Sequence, residues 1–233
     1  MEDGQSAIVS AHITVPRTAR YYIVGRPAPT VRDLWIACHG YGQLAGRFVE
    51  QFVPFVDDTR MVVAPEGLSR FYVDSRVPHT AASKIGALWM TREDRDVEID
   101  DIVTYLDTLT EHMVGVLADR GVSRDQLRVH ALGFSQGSPV VSRWAARGAM
   151  RVDHMVLWGG RLPDDVNIRA IHDRYPEFHV DLVHGTHDWW LTQEVIAEHE
   201  ATFTAAGVPY RVRAFEGGHM LDDATIRAVF TGG

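Results

Sequence analysis

Short apolar runs bounded by turn residues recur along the chain at Ile8 to Val15, Tyr21 to Val24, Leu34 to Cys38, Met61 to Ala64, Leu127 to Leu132, His154 to Trp158, Phe178 to Val183 and Tyr210 to Phe215. Their lengths and punctuation predict eight β-strands. Between the later runs the apolar spacing becomes helical, as in Phe48/Phe52/Phe55, Ile99/Val103/Leu106/Leu109/Met113, Val140/Val141/Trp144 and Val195/Ile196/His199/Phe203. Strands alternating with helices predict an α/β fold of three layers, a mostly parallel sheet covered on both faces, because parallel strands need crossover connections that bury them. The first two runs are joined through Pro16-Arg17 with no helix between them, which predicts an antiparallel N-terminal hairpin at the sheet edge. No repeat, low-complexity tract or linker interrupts the pattern, so residues 1–233 read as one domain.

Ligand sites in open α/β sheets lie beyond the carboxyl ends of the strands. The strand Leu127 to Leu132 runs into Gly133-Phe134-Ser135-Gln136-Gly137 and then into a helical stretch. This Gly-x-Ser-x-Gly sequence in a strand-turn-helix context is a nucleophile elbow, in which a strained turn exposes the serine and the helix N-terminus supplies backbone donors. A serine hydroxyl needs a histidine to take its proton and a carboxylate to orient that histidine. After the last strand comes Glu216-Gly217-Gly218-His219, which makes His219 the candidate base. After the strand before it comes Gly185-Thr186-His187-Asp188, which makes Asp188 the candidate acid. For the oxyanion hole the spacing offers the amide of Gln136 and that of Tyr41, the latter in His39-Gly40-Tyr41-Gly42 beyond the strand ending at Cys38. His187 competes as base and Asp164 or Asp165 as acid, since these too follow strands near that edge. His184, His187 and Asp188 have no further ligand pattern nearby, so no metal site is expected.

Charge and cysteine usage narrow the function classes. Lys plus Arg number 23 and Asp plus Glu 31, a net charge of −8 that repels polyanions on average, so no nucleic-acid partner is expected. The acids cluster in Glu93 to Asp101, where they suit the start of a helix. The single cysteine, Cys38, sits in an apolar strand as a small hydrophobe, and His12 and His130 lie within strands as structural residues. The polar, acidic start lacks the features of a secretory signal, and no apolar run spans a bilayer, so a cytoplasmic protein without a transmembrane segment is expected. Sedimentation decides whether it forms a homodimer.

At the quoted motifs the sequence resembles the phospholipase/carboxylesterase family of α/β-hydrolases, which includes acyl-protein thioesterases. His39-Gly40-Tyr41-Gly42, Gly133-Phe134-Ser135-Gln136-Gly137, Gly185-Thr186-His187-Asp188 and Gly217-Gly218-His219 occur in the family's order. The resemblance implies an eight-stranded α/β-hydrolase sheet, a serine triad and no metal or organic cofactor. It implies a carboxylesterase acting on esters or thioesters, with a peptidase, a lactone hydrolase or a non-catalytic ligand receptor as alternatives. The stretch from Trp158 to Phe178 is too short for an inserted lid, which favours small to medium acyl groups. The strand-free stretch Glu66 to Arg92 is a candidate partial cover, and Phe71, Trp89, Met90 and Trp189 are candidate substrate-binding side chains.

Overall fold

A computed structural model describes residues 8–74 and 76–232. Its main sheet has seven strands in the order β1 (Tyr21–Val24), β3 (Arg60–Pro65), β2 (Asp33–Cys38), β6 (Arg128–Phe134), β7 (His154–Trp158), β8 (His179–Gly185), β9 (Tyr210–Phe215). All neighbours run parallel except β1, which is antiparallel to β3. The strands stand within a residue or two of where the apolar runs place them. Full burial on both faces explains why β2, β6, β7 and β8 read as continuous apolar stretches.

Two expectations need correction. Ile8 to Val15 forms no strand, and Ile8, Val9, Ile13 and Val15 stand exposed. The antiparallel edge strand is present as β1, but its partner is β3, so among the described residues the sheet has seven strands and no N-terminal hairpin. Pro16-Arg17 cannot make a two-residue hairpin turn, because proline holds a negative φ whereas the favoured turns need positive φ at their centre. Glu66 fixes β1 instead. Its amide donates to the carbonyl of Arg20 at 3.0 Å, and its buried carboxylate accepts from the Arg20 guanidinium at 2.6 Å.

Side chains alternate across the strands and separate two cores. Leu34, Ile36, Val129, Ala131, Met155 and Leu157 pack under α2 (Arg95–Ala118), α3 (Gly137–Arg147) and α4 (Ile168–Arg174), and Phe203 of α5 (Gln193–Ala206) joins them. On the other face, Trp35, Val62, Leu132 and Val156 pack under α1 (Ala45–Val49), the 3-10 helix Glu50–Phe55 that continues it, and α6 (Asp223–Thr231). The acidic cluster expected at a helix start opens α2, with Asp96 and Glu98 in its first turn.

The stretch Glu66 to Arg92 contains a small hairpin, β4 (Ser69–Tyr72) with β5 (Ile85–Leu88). A bridge from Ala87 to Gln43 ties it to the loop after β2. Each strand is only four residues long, β4 opens with the polar pair Ser69-Arg70 and β5 carries Gly86, so neither gives a strand-length run of strand-forming apolar residues, which is why pattern alone reads them as loop.

Candidate active site

The elbow is built on close approach. A Cβ on Gly133 would overlap the Gly137 carbonyl, and one on Gly137 would overlap the Cys38 carbonyl, so α3 can leave β6 abruptly only with glycine at both places. Between them Ser135 adopts φ 53°, a left-handed conformation that costs a non-glycine residue roughly 1 kcal/mol. Its amide is anchored by donation to the Trp158 carbonyl at 2.8 Å.

Asp188 and His219 are joined because their loops lie on each other. Gly185 ends β8 so close to the carbonyls of Gly217 and Gly218 that a side chain there would collide with both. The amide of Thr186 donates to the Phe215 carbonyl at 2.9 Å, and that of His187 to the Gly217 carbonyl at 2.8 Å. His219 Nδ1 then lies 2.8 Å from Asp188 Oδ2, while Asp188 Oδ1 accepts from the Trp190 amide at 2.9 Å. A carboxylate only accepts, so the proton sits on Nδ1 and the lone pair on Nε2. The Asp188 side chain is almost fully buried and His219 keeps an exposed edge.

The direct hydrogen bond within the trio is that between His219 and Asp188. Ser135 reaches the same place through shared neighbours. The ring of Phe134, the residue before Ser135, lies 4.9 Å from that of His219. The segment after β7 touches all three. A Cβ on Gly159 would stand 3.1 Å from His219 Cε1 and 3.2 Å from Asp188 Oδ2, and one on Gly160 would overlap the Ser135 carbonyl. Trp158 adds an indole N–H to the Met220 carbonyl at 2.9 Å. Sequence reading missed this segment, although Gly159-Gly160 directly after a strand is the same signal that marks the other site loops.

The loop after β2 comes up against the serine, since a Cβ on Gly40 would lie 3.2 Å from the Cβ of Ser135. Its shape is held by His39. The Gly67 amide donates to His39 Nε2 at 3.0 Å, which leaves Nδ1 protonated and donating to the Gly40 carbonyl at 2.8 Å. Burial pushes the His39 pKa below its ordinary value and favours this neutral form. Among the described residues, the amides of Tyr41 and Gln136 have no acceptor within the protein. The side chain of Gln136 grips the segment after β5, accepting from the Trp89 amide at 3.1 Å and donating to the Met90 carbonyl at 3.0 Å.

The candidate substrate-binding residues separate. Trp89 is only 2% exposed, and its indole N–H donates to the His39 carbonyl at 2.8 Å, so it braces the loop from within the core and presents no surface to a ligand. Met90 is half-buried, with its sulfur 3.5 Å from Arg143 Nη1. Phe71 packs on Tyr41, with ring centroids 5.2 Å apart, and Tyr41 is 61% exposed. Trp189 is 69% exposed and stacks on the equally open Trp190 at 4.2 Å. The rivals have other engagements. His187 is exposed and 3.4 Å from Glu216, and Asp165 binds Arg143 and Arg147, with its pKa lowered to about 2 chiefly by the Arg143 hydrogen bonds. Asp164 is exposed. Among the described residues no group of three His, Cys, Asp or Glu is placed to share a metal ion, and no helix is long and apolar enough to cross a membrane.

No protein-family model matches the chain. No curated protein matches it in sequence either. Solved structures match it in shape over nearly its full length. Esterase PE8 superposes with a TM-score of 0.63 at 18% identity, covering 93% of this chain and 99% of the other. Acyl-protein thioesterase 2 of Zea mays superposes with a TM-score of 0.64 at 15% identity, covering 92% and 97%. The Bacillus cereus carboxylesterase gives 0.65 at 12% identity, covering 92% of each chain. With its parallel sheet, its antiparallel edge strand and helices on both faces, the chain has the α/β-hydrolase fold of these structures.

Proposed function

We propose that the chain is a single-domain serine hydrolase that cleaves carboxylic esters or thioesters of small to medium acyl groups. The observation that carries this reading is the oriented imidazole: Asp188 holds Nδ1 of His219 and leaves the lone pair on Nε2 to accept a proton, with the ring of Phe134, the residue before Ser135, 4.9 Å from the imidazole. In the reaction, Ser135 Oγ attacks the substrate carbonyl while its proton passes to His219 Nε2, and the Asp188 carboxylate stabilises the imidazolium. The amides of Tyr41 and Gln136 donate to the oxyanion of the tetrahedral intermediate. Collapse expels the alcohol or thiol, which takes the proton from His219 and leaves an acyl group on Ser135. Water, deprotonated by His219, then releases the acid and restores the serine. The structures of esterases and a thioesterase on this fold support the substrate class.

Phe71, Met90 and Trp189 are proposed to contact the acyl or leaving group, with Trp89 supporting them through His39. The test is intact-mass analysis after fluorophosphonate treatment, with p-nitrophenyl ester turnover measured in parallel on wild type and Ser135→Ala. One adduct that disappears in the variant, together with a loss of kcat by several orders of magnitude, is expected. Folded protein that gives neither adduct nor turnover overturns the proposal and favours a ligand receptor.

A further inference from the structure

The opposite edge of the sheet, where the parallel strands begin, holds a cavity of about 740 Å³. Each strand entry places a cationic or imidazole group on its wall: Arg60 on β3, Arg32 before β2, Arg124 and Arg128 around the start of β6, Arg151 before β7 and His179 on β8. Among the described residues the wall carries six arginines and five carboxylates, in a chain whose net charge is −8. The lining thus lacks the acidity of the chain as a whole.

Most of those carboxylates are already committed. Asp33 lies 2.8 Å from His130 Nε2 and 2.9 Å from Arg128 Nη2. Asp153 accepts from the Val129 amide at 2.9 Å and lies 2.6 Å from Arg151 Nε, and Glu177 lies 3.0 Å from Arg151 Nη2. Asp181 is 3.2 Å from His154 Nε2. Arg32 and Arg124, by contrast, meet no carboxylate among the described residues. Arg32 donates to the carbonyls of Pro29 and Val31, and Arg124 to that of Leu127. A carbonyl takes a hydrogen bond without neutralising the charge, and each guanidinium has five N–H donors to place. Deeper in the wall, the buried indole N–H of Trp35 has no acceptor among the described residues, which makes a further unspent donor.

We propose that this cavity is a second ligand site, for a small molecule carrying two or more phosphate or carboxylate groups, with Arg32 and Arg124 as its principal anchors. Arg32 directly precedes β2 and Arg124 lies in the 3-10 turn that leads into the adjacent parallel strand β6, so both line one cavity and two anionic groups of one molecule can meet one guanidinium each. Arg128, with its side chain 64% exposed, closes the same side. The length of β2, roughly 17 Å, separates this site from the loop beside Ser135, so the two can be occupied together.

Isothermal titration with pyrophosphate and with citrate, at ionic strength matched by sodium chloride, tests the site. Saturable binding of one equivalent of either is expected, and the tighter of the two identifies phosphate or carboxylate as the preferred group. Arg124→Glu is expected to weaken it at least about tenfold, and Arg32→Gln similarly, since each removes a charge-assisted contact. Arg124→Gln serves where the charge reversal perturbs folding by circular dichroism. Ser135→Ala is expected to bind as wild type does, so failure of the hydrolase reading leaves this result untouched. Absence of saturable binding of both anions, binding unchanged in both arginine variants, or binding lost in Ser135→Ala overturns the proposal.

Discussion

His219 and Asp188 meet at 2.8 Å because Gly185 lies directly against the backbone of Gly217 and Gly218. The carboxylate has a second restraint, the Trp190 amide on Oδ1, so the side that faces the imidazole is fixed. Asp188→Asn keeps the shape but lets the amide nitrogen face Nδ1, which then favours the wrong tautomer. We expect kcat on a p-nitrophenyl ester to fall by about 10³-fold or more with little change in unfolding free energy. Retention of full activity would remove Asp188 from the site.

Gln136 fastens two segments that are far apart in sequence, since its amide group satisfies the backbone of both Trp89 and Met90. Gln136→Ala leaves a buried N–H and C=O without their partner, which costs about 1–3 kcal/mol of stability. The main-chain amide of residue 136 survives the substitution, so activity should drop through loss of position, by roughly tenfold in kcat/KM. Steady-state kinetics beside urea unfolding distinguishes this from a loss of chemistry: abolition of turnover, or no effect on either quantity, contradicts the assigned role.

Acid should destabilise the fold through the polar row at the strand starts. Burial pushes His154 down from 6.5 to about 4, and the groups facing it are His130 on β6, His179 and Asp181 on β8, with Asp33, Arg128 and Arg213 beyond them. His130 is also lowered by burial. A histidine kept neutral by the fold binds its proton more readily when unfolded, so stability is complete above about pH 6.5 and declines as pH falls towards 4. Urea unfolding should show a loss of about 2 kcal/mol between pH 7 and pH 5 from His154 alone. A level stability over that range would count against a buried neutral His154.

The sequence and the structure agree where burial is symmetric and disagree where it is not. The central strands carry side chains into both cores, so β2, β6, β7 and β8 announce themselves as apolar runs and bring the loops of Ser135 and Asp188 to one edge, where the loop after the half-exposed β9 adds His219. The hairpin β4–β5 and the partner of β1 depend on contacts such as Glu66 with Arg20 and Arg70, which no local pattern encodes. Trp89 shows the same limit for the site. Its type suggests a pocket wall, but the bond to the His39 carbonyl that turns it inward joins residues 50 positions apart. The role of Gln136 likewise depends on a partner at a distance of 47 residues.

The burial of Cys38 gives the molecule a built-in clock. This thiol, the only one in the chain, ends the strand behind His39, and burial pushes its pKa far above the ordinary range, so it is unreactive while the sheet is closed. A thiol reagent can therefore label the protein only when β2 parts from its neighbours, and the labelling rate counts how often the strand that carries the His39 loop opens.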